Sequence, residues 1–150
     1  MKKTEIVISV KRVGGYAGAL PLYVSPGSAG MDLCAFLPAQ VTIDPMGRAL
    51  IPTGIAVAVP PGFEGQVRPR SGLALTFGVT LLNTPGTIDS DYRGEIKVIM
   101  INLGEKPFVV SPGDRIAQLV IAPVTRVIWQ EVDDLPKTRR GEGGFGHSGT

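Results

Sequence analysis

Cysteine and histidine, on which most zinc and nucleophilic sites are built, occur once each in this sequence, as Cys34 and His147. One cysteine excludes an intrachain disulfide framework and a cysteine-based zinc cluster. It sits in an apolar run, where a buried, inert thiol is expected. One histidine excludes a Ser-His-Asp triad or a multi-histidine metal site within a single chain, and no catalytic role is assigned to His147. Apolar stretches of the roughly 18 residues needed to span a bilayer are missing, and Met1-Lys2-Lys3-Thr4-Glu5 leads into Ile6 without a signal-peptide pattern, so a cytoplasmic protein with no membrane partner is expected. Excess charge is also missing: 15 Lys and Arg against 13 Asp and Glu leave +2. Beyond the pairs Lys2-Lys3, Lys11-Arg12 and Arg139-Arg140 the basic residues are scattered, which argues against a nucleic-acid partner.

What the chain does have is 20 glycines and 13 prolines spread along its whole length, punctuating short runs of Val, Ile, Leu and Thr. That pattern predicts many short strands and tight turns. Strands are expected at Ile6–Val10, Met31–Phe36, Gln40–Ile43, Arg48–Val59, Glu64–Pro69, Thr80–Leu82, Glu95–Asn102, Phe108–Val110, Arg115–Pro123 and Val127–Val132, with one short helix at Ser71–Phe77. Turns are expected at Pro26-Gly27, Asp44–Gly47, Pro60–Gly62 and Ser111–Gly113, where a fixed φ precedes a permissive residue. No boundary or repeat divides residues 1–150, so the prediction is a single all-β domain, a jelly-roll-like β-barrel.

Three polar stretches stand out from this scaffold. The last dozen residues, Arg139 to Thr150, interleave five glycines with two arginines, a serine, a threonine and Phe145, and cannot form a packed element. They read as a mobile arm over 139–150 that closes on a phosphorylated, ring-bearing ligand, or as a solubilising tail. Ordering such an arm costs on the order of 1–2 kcal/mol per residue, so closure needs a multiply charged partner. Gly86–Gly94 sets Asp89, Asp91 and Tyr92 between turn glycines, either as a polar β-turn or as a site where Asp89, pinned behind Ile88, orients a water. Pro69–Leu75 puts Arg70, Ser71 and Gly72 at a helix start, where free N–H groups favour an anion or where Ser71 is an ordinary cap. Gln118, among Ile116, Leu119 and Val120, reads as a buried amide needing partners. With aspartates and arginines as the donor set, a metal would be a hard ion, and magnesium fits better than zinc.

Taken in order, Ala29–Leu33, Pro69–Gly72, Gly86–Gly94, Gly113–Leu119 and Arg140–Gly149 resemble the five motifs of the trimeric dUTP diphosphatases (dUTPases). The resemblance implies a jelly-roll subunit assembling as a homotrimer with shared sites. It also implies magnesium-dependent hydrolysis of dUTP to dUMP and pyrophosphate, which lowers dUTP and supplies dUMP for thymidylate synthesis. By position, Asp89 is similar to the general base that aligns a water on the α-phosphorus. Arg70, Ser71, Gly72 and Gln118 resemble the phosphate-binding groups, and Asp32 the carboxylate that holds magnesium through water. Base recognition is implied for Asn83, Gly86, Thr87, Ile88 and Lys97, and packing beneath deoxyribose for Tyr92. In the arm, Phe145 would stack on uracil while Arg140, Gly146 and Ser148 wrap the outer phosphates. The nearest rival is a dCTP deaminase, which would need a catalytic glutamate in the base pocket, with Glu95 the nearby candidate. A nucleotide-binding regulatory trimer and a structural jelly roll are the non-enzymatic alternatives.

Overall fold

The computed structural model describes residues 5–145, and in it turns divide the chain into ten strands and one helix. In chain order these are β1 (Ser9–Arg12), β2 (Gly30–Cys34), β3 (Val41–Ile43), β4 (Arg48–Ala58), β5 (Phe63–Arg68), α1 (Ser71–Phe77), β6 (Val79–Leu81), β7 (Gly86–Ile88), β8 (Glu95–Asn102), β9 (Phe108–Val110) and β10 (Arg115–Pro123). All strand pairs are antiparallel. They form three sheets, ordered β1-β4-β8-β6, β2-β10-β5-β7 and β3-β9, folded around one core as the jelly-roll expectation requires.

Strand β8 shows how the sequence builds this core. Side chains alternate across a strand, so Ile96, Val98, Met100 and Asn102 point inward and are buried, while Glu95, Lys97, Ile99 and Ile101 take the other face. Removing an aliphatic side chain of this kind from water stabilises by about 1.5–3 kcal/mol. The inner face meets Leu33, Ile51, Val67, Val110 and Leu119 from the other strands in one contiguous cluster. Turn chemistry then fixes the strand ends. At Ser111–Asp114 the Asp114 N–H donates to the Ser111 carbonyl at 3.1 Å and the Ser111 N–H to Asp114 Oδ2 at 2.7 Å.

Three expectations need correction. The first strand lies at Ser9–Arg12 rather than Ile6–Val10, because its position is set by pairing Ser9 with Ala58 and Arg12 with Ile55 on β4, not by its own apolar run. A short strand at Gly86–Ile88, not expected, pairs with β5 where Gly65 has no side chain; a Cβ there would come within 3.1 Å of the Ile88 Cβ. The strand expected at Val127–Val132 does not form, and Ile128 and Trp129 are 98% and 90% exposed. Strand propensity is expressed only where a neighbouring strand pairs with it, and among the described residues none pairs with this segment. No helix among the described residues is long and apolar enough to cross a membrane.

Asn102 is the polar exception in the core. Fully buried, it donates Nδ2–H to the Ile43 carbonyl at 2.9 Å and to the Lys106 carbonyl at 2.8 Å, and its Oδ1 accepts from the Gly104 N–H at 2.9 Å. One side chain thereby joins β3 to the turn after β8. Asn102→Ala removes the partner of one buried and two part-buried backbone groups and is expected to cost about 2–4 kcal/mol in urea unfolding. Asn102→Asp, nearly isosteric, is expected to cost at least as much, since a carboxylate cannot donate to two carbonyls.

Candidate active site

One polar cluster forms where β2 and β10 pair. Asp32 lies opposite Gln118, and Gln118 lies opposite Arg68 on the next strand. The Asp32 carboxylate accepts from Arg70 Nε at 3.1 Å and from Arg115 Nη1 at 3.3 Å, and Arg70 Nη1 donates to the Arg115 carbonyl at 3.2 Å. These groups are part-exposed, so the ion pairs themselves contribute little stability. Gln118 donates Nε2–H to the Pro69 carbonyl at 3.0 Å, which fixes the chain just before Arg70. Gly30 is needed for this amide: a Cβ at Gly30 would collide with Gln118 Oε1. Arg70 is the residue before α1, extended at φ −99°, and the helix N-terminus has no side-chain cap. Ser71 and Gly72 follow, both exposed, and a Cβ on Gly72 would meet open space.

A second feature is a cleft of about 310 Å³ beside β8. It brings together Asn83, Gly86, Thr87, Ile88, Tyr92 and Lys97, all expected from sequence to share a site. Gly86 is tightly held, with space for a Cβ limited by Asn83 Nδ2 at 3.3 Å and Val67 at 3.4 Å. Lys97 Nζ lies 3.8 Å from Glu95 Oε2. The loop between β7 and β8 is stitched to itself. The Tyr92 N–H donates to the Asp89 carbonyl at 3.1 Å, Arg93 Nη1 donates to the carbonyls of Ser90 and Tyr92 at 2.7 and 2.8 Å, and Tyr92 Oη donates to the Glu95 carbonyl at 3.0 Å.

Asp89 itself, one residue beyond β7, is exposed and lines an adjoining cavity of about 400 Å³ with Phe63, Glu64, Asp91 and Arg126. It does not meet the Asp32 cluster. From Asp32 the ladder runs through Gln118 and Arg68 on β5, while Asp89 follows Ile88, which pairs with Gly65. Three strand spacings and about four residues of strand rise separate the two aspartates by roughly 20 Å. In the tail, Arg140 donates Nε–H to the Gly143 carbonyl at 2.6 Å, and Phe145 is fully exposed. Gly146 and Ser148 lie outside the described residues.

Arg115 was not singled out by sequence, though it is the second cation on Asp32; only the β2–β10 register reveals it. Cys34 is half-buried rather than fully buried. Burial first, and the neighbouring Asp32 carboxylate second, raise its thiol pKa above the usual value, which keeps it protonated and a poor nucleophile.

The family model of the dUTPases matches residues 17–149. A deoxyuridine 5'-triphosphate nucleotidohydrolase of Syntrophotalea carbinolica is 62% identical over 144 residues, spanning 96% of this chain and 97% of that protein. One from Maricaulis maris is 56% identical over 150 residues, spanning 98% of this chain and 99% of its own length. Among solved structures, a mutant dUTPase of Staphylococcus bacteriophage 80alpha with dUpNHpp superposes with a TM-score of 0.86 at 25% identity, covering 96% of this chain and 99% of that one. With the sequence match running through both polar clusters and the fold shared along the chain, the chain belongs to the dUTPase family and is an enzyme of that class.

Proposed function

We propose that the chain hydrolyses dUTP to dUMP and pyrophosphate in a homotrimer whose sites are each assembled from more than one copy. The relatives are named for dUTP hydrolysis, and the phage enzyme was solved with the dUTP analogue dUpNHpp. In this reading the cleft holds deoxyuridine. Asn83, Thr87 and main-chain groups of β7 and Lys97 match the uracil edge, and Tyr92 packs under the sugar. A slot that pairs those polar groups rejects cytosine by leaving buried donors unmatched. Asp89 takes a proton from a water whose oxygen bonds to the α-phosphorus as the bond to the bridging oxygen breaks and pyrophosphate leaves. A positioned base of this kind typically contributes ~10²–10⁴-fold.

The observation that carries the shared-site reading is the distance between the two aspartates. A base acting on the α-phosphorus and a carboxylate serving the metal on the same triphosphate must lie close together, and roughly 20 Å of sheet keeps them apart within one chain. Supplying Asp32, Arg70, Ser71, Gly72 and Gln118 from a second copy removes the conflict. The bare surface over Gly72 and the exposed Val127–Val132 segment are both in keeping with a neighbouring copy packed against them. The arm over 139–150, with Arg140, Phe145, Gly146 and Ser148, would close on the nucleotide.

Among the described residues no group of three or more His, Cys, Asp or Glu could hold a metal ion unaided. Asp32, with its carboxylate at the β2–β10 cluster, would hold magnesium through water together with the substrate's phosphates, as suits an ion that dehydrates reluctantly. Bound in this way, the ion would neutralise charge developing on the phosphates. Arg70, paired with Asp32 at 3.1 Å, would turn to the phosphates as they arrive. Glu95 argues against the deaminase alternative, because its Oε1 is already committed to the Gly54 N–H at 2.9 Å. A sequence with one cysteine, and so no intrachain disulfide, suits a reducing, cytoplasmic setting.

Pyrophosphate release assayed with dUTP, dCTP, TTP and UTP in the presence of magnesium is expected from dUTP alone, and ammonia from dCTP would reassign the chain. Asp89→Asn is expected to bind dUTP while turning over roughly 10²-fold more slowly or worse. Refolding Asp89→Asn chains together with inactive Arg70→Ala chains is expected to recover activity that neither has alone. No recovery would show that both groups serve one site from one chain. Truncation before Arg140 is expected to leave the number of subunits in the assembly unchanged on light scattering while removing most turnover.

A further inference from the structure

We infer that Glu95 is a positioning residue that holds Tyr92 in place and so sets discrimination against ribonucleotides; the inference rests on Tyr92 being the sugar-packing group. Glu95 is tied to the structure at both ends. Its carboxylate, on a side chain only 16% exposed, accepts the Gly54 N–H at 2.9 Å, and its carbonyl accepts the Tyr92 hydroxyl at 3.0 Å. The first of these bonds exists because of an irregularity in β4. Pro52 pairs with Lys97 and Ala56 with Glu95, so Thr53, Gly54 and Ile55 face the single residue Ile96.

The extra residues turn the Gly54 N–H away from the regular ladder and toward the Glu95 side chain. Neighbours fix this bulge from every side. Thr53 Oγ1 donates to the Ile96 carbonyl at 2.6 Å, the Val13 N–H donates to the Gly54 carbonyl at 2.8 Å, and the Tyr16 ring packs over Gly54. With φ at +72° and a would-be Cβ 2.6 Å from Tyr16, residue 54 has to be glycine. The anchor is therefore rigid, and the 2.9 Å bond from its N–H ties the Glu95 side chain to it.

At the other end the Tyr92 ring is folded back over Gly94, where a Cβ would collide with it, and its hydroxyl has the Glu95 carbonyl as partner. The ring is nearly half exposed, so packing alone does not hold it. Steric exclusion of a 2′-hydroxyl depends on ring position at the scale of about 1 Å. The chain Gly54 to Glu95 to Tyr92 supplies that precision by fastening a loop residue to the core sheet. Lys97, 3.8 Å from the outer carboxylate oxygen and half exposed, balances charge and is not the anchor.

The test is the ratio of kcat/KM for dUTP to that for UTP, measured on the full chain with magnesium. Glu95→Ala is expected to lower the ratio about tenfold, through a relative gain for UTP. Glu95→Gln keeps an oxygen acceptor for Gly54 and is expected to restore the ratio to within about twofold of the starting protein. If Glu95→Ala slows both substrates equally, the residue is merely structural and the inference fails. Tyr92→Ala separates the layers: if it leaves the ratio unchanged, the sugar-packing reading fails and takes the inference with it. A lowered ratio in Tyr92→Ala beside an unchanged one in Glu95→Ala overturns the inference alone. Should Glu95→Ala not fold, Tyr92→Phe breaks the same chain at its other end and is held to the same outcomes.

Discussion

Strand β8 and its pairing with β4 are the constraint on which the rest of this molecule depends. Its inward residues, Ile96, Val98, Met100 and Asn102, are buried, and the cleft is lined by Glu95, Lys97 and Ile99 of the opposite face together with the edges of Ile96 and Val98. Because side chains alternate strictly, a one-residue slip would move both sets to the wrong face. Two devices hold the register. Asn102 locks one end through three side-chain hydrogen bonds, and the Thr53–Ile55 bulge locks the other through Thr53 and Glu95. Core stability and cleft geometry are therefore set by the same strand.

The second sheet carries chemistry in a different way. The order β2-β10-β5-β7 sets Asp32 on one outer strand and the start of the Asp89 loop on the other, with β10 and β5 between them. Such a sheet is stiff, and no rotamer change brings its two edges together. On the proposed reading its outer strands carry two half-sites, one with Arg70 and Arg115 beside Asp32 and one leading into the cleft. On the trimer reading, that rigidity is an advantage, since each half-site is presented to a neighbour without having to be ordered on binding.

Much of this was legible in the sequence where the cause is local. Helix α1 lies at Ser71–Phe77 as expected, since its limits are set by Pro69 before it and Gly78, at φ +68°, after it. Six expected cleft residues do line one cleft, because Asn83 to Tyr92 are close in sequence and Lys97 follows on the next strand. What was hidden depends on pairing between distant segments. Arg115 joins Asp32 only through the β2–β10 register, and Gly54 meets Glu95 only because β4 carries extra residues there. The Val127–Val132 run has the composition of a strand, but composition cannot say whether the chain provides an edge for it.

That run also bears on why assembly and catalysis would be linked. After the Val124 N–H donates to the Gly62 carbonyl, the chain leaves the sheets, and Val127, Ile128, Trp129, Val132 and Leu135 stand exposed. So many large apolar side chains exposed within nine residues fit, on the proposed reading, a segment that packs on a second copy. From Val124 to Arg140, at no more than about 3.3–3.6 Å per residue, the segment can extend some 50 Å, enough to cross a neighbouring subunit. On the proposed reading, burying these side chains on a second copy offsets the entropy of ordering the glycine-rich arm beyond them. The arm then reaches the nucleotide from a fixed starting point. A chain on its own would have to order the whole segment at once, at about 1–2 kcal/mol per residue, against the phosphate and uracil contacts alone.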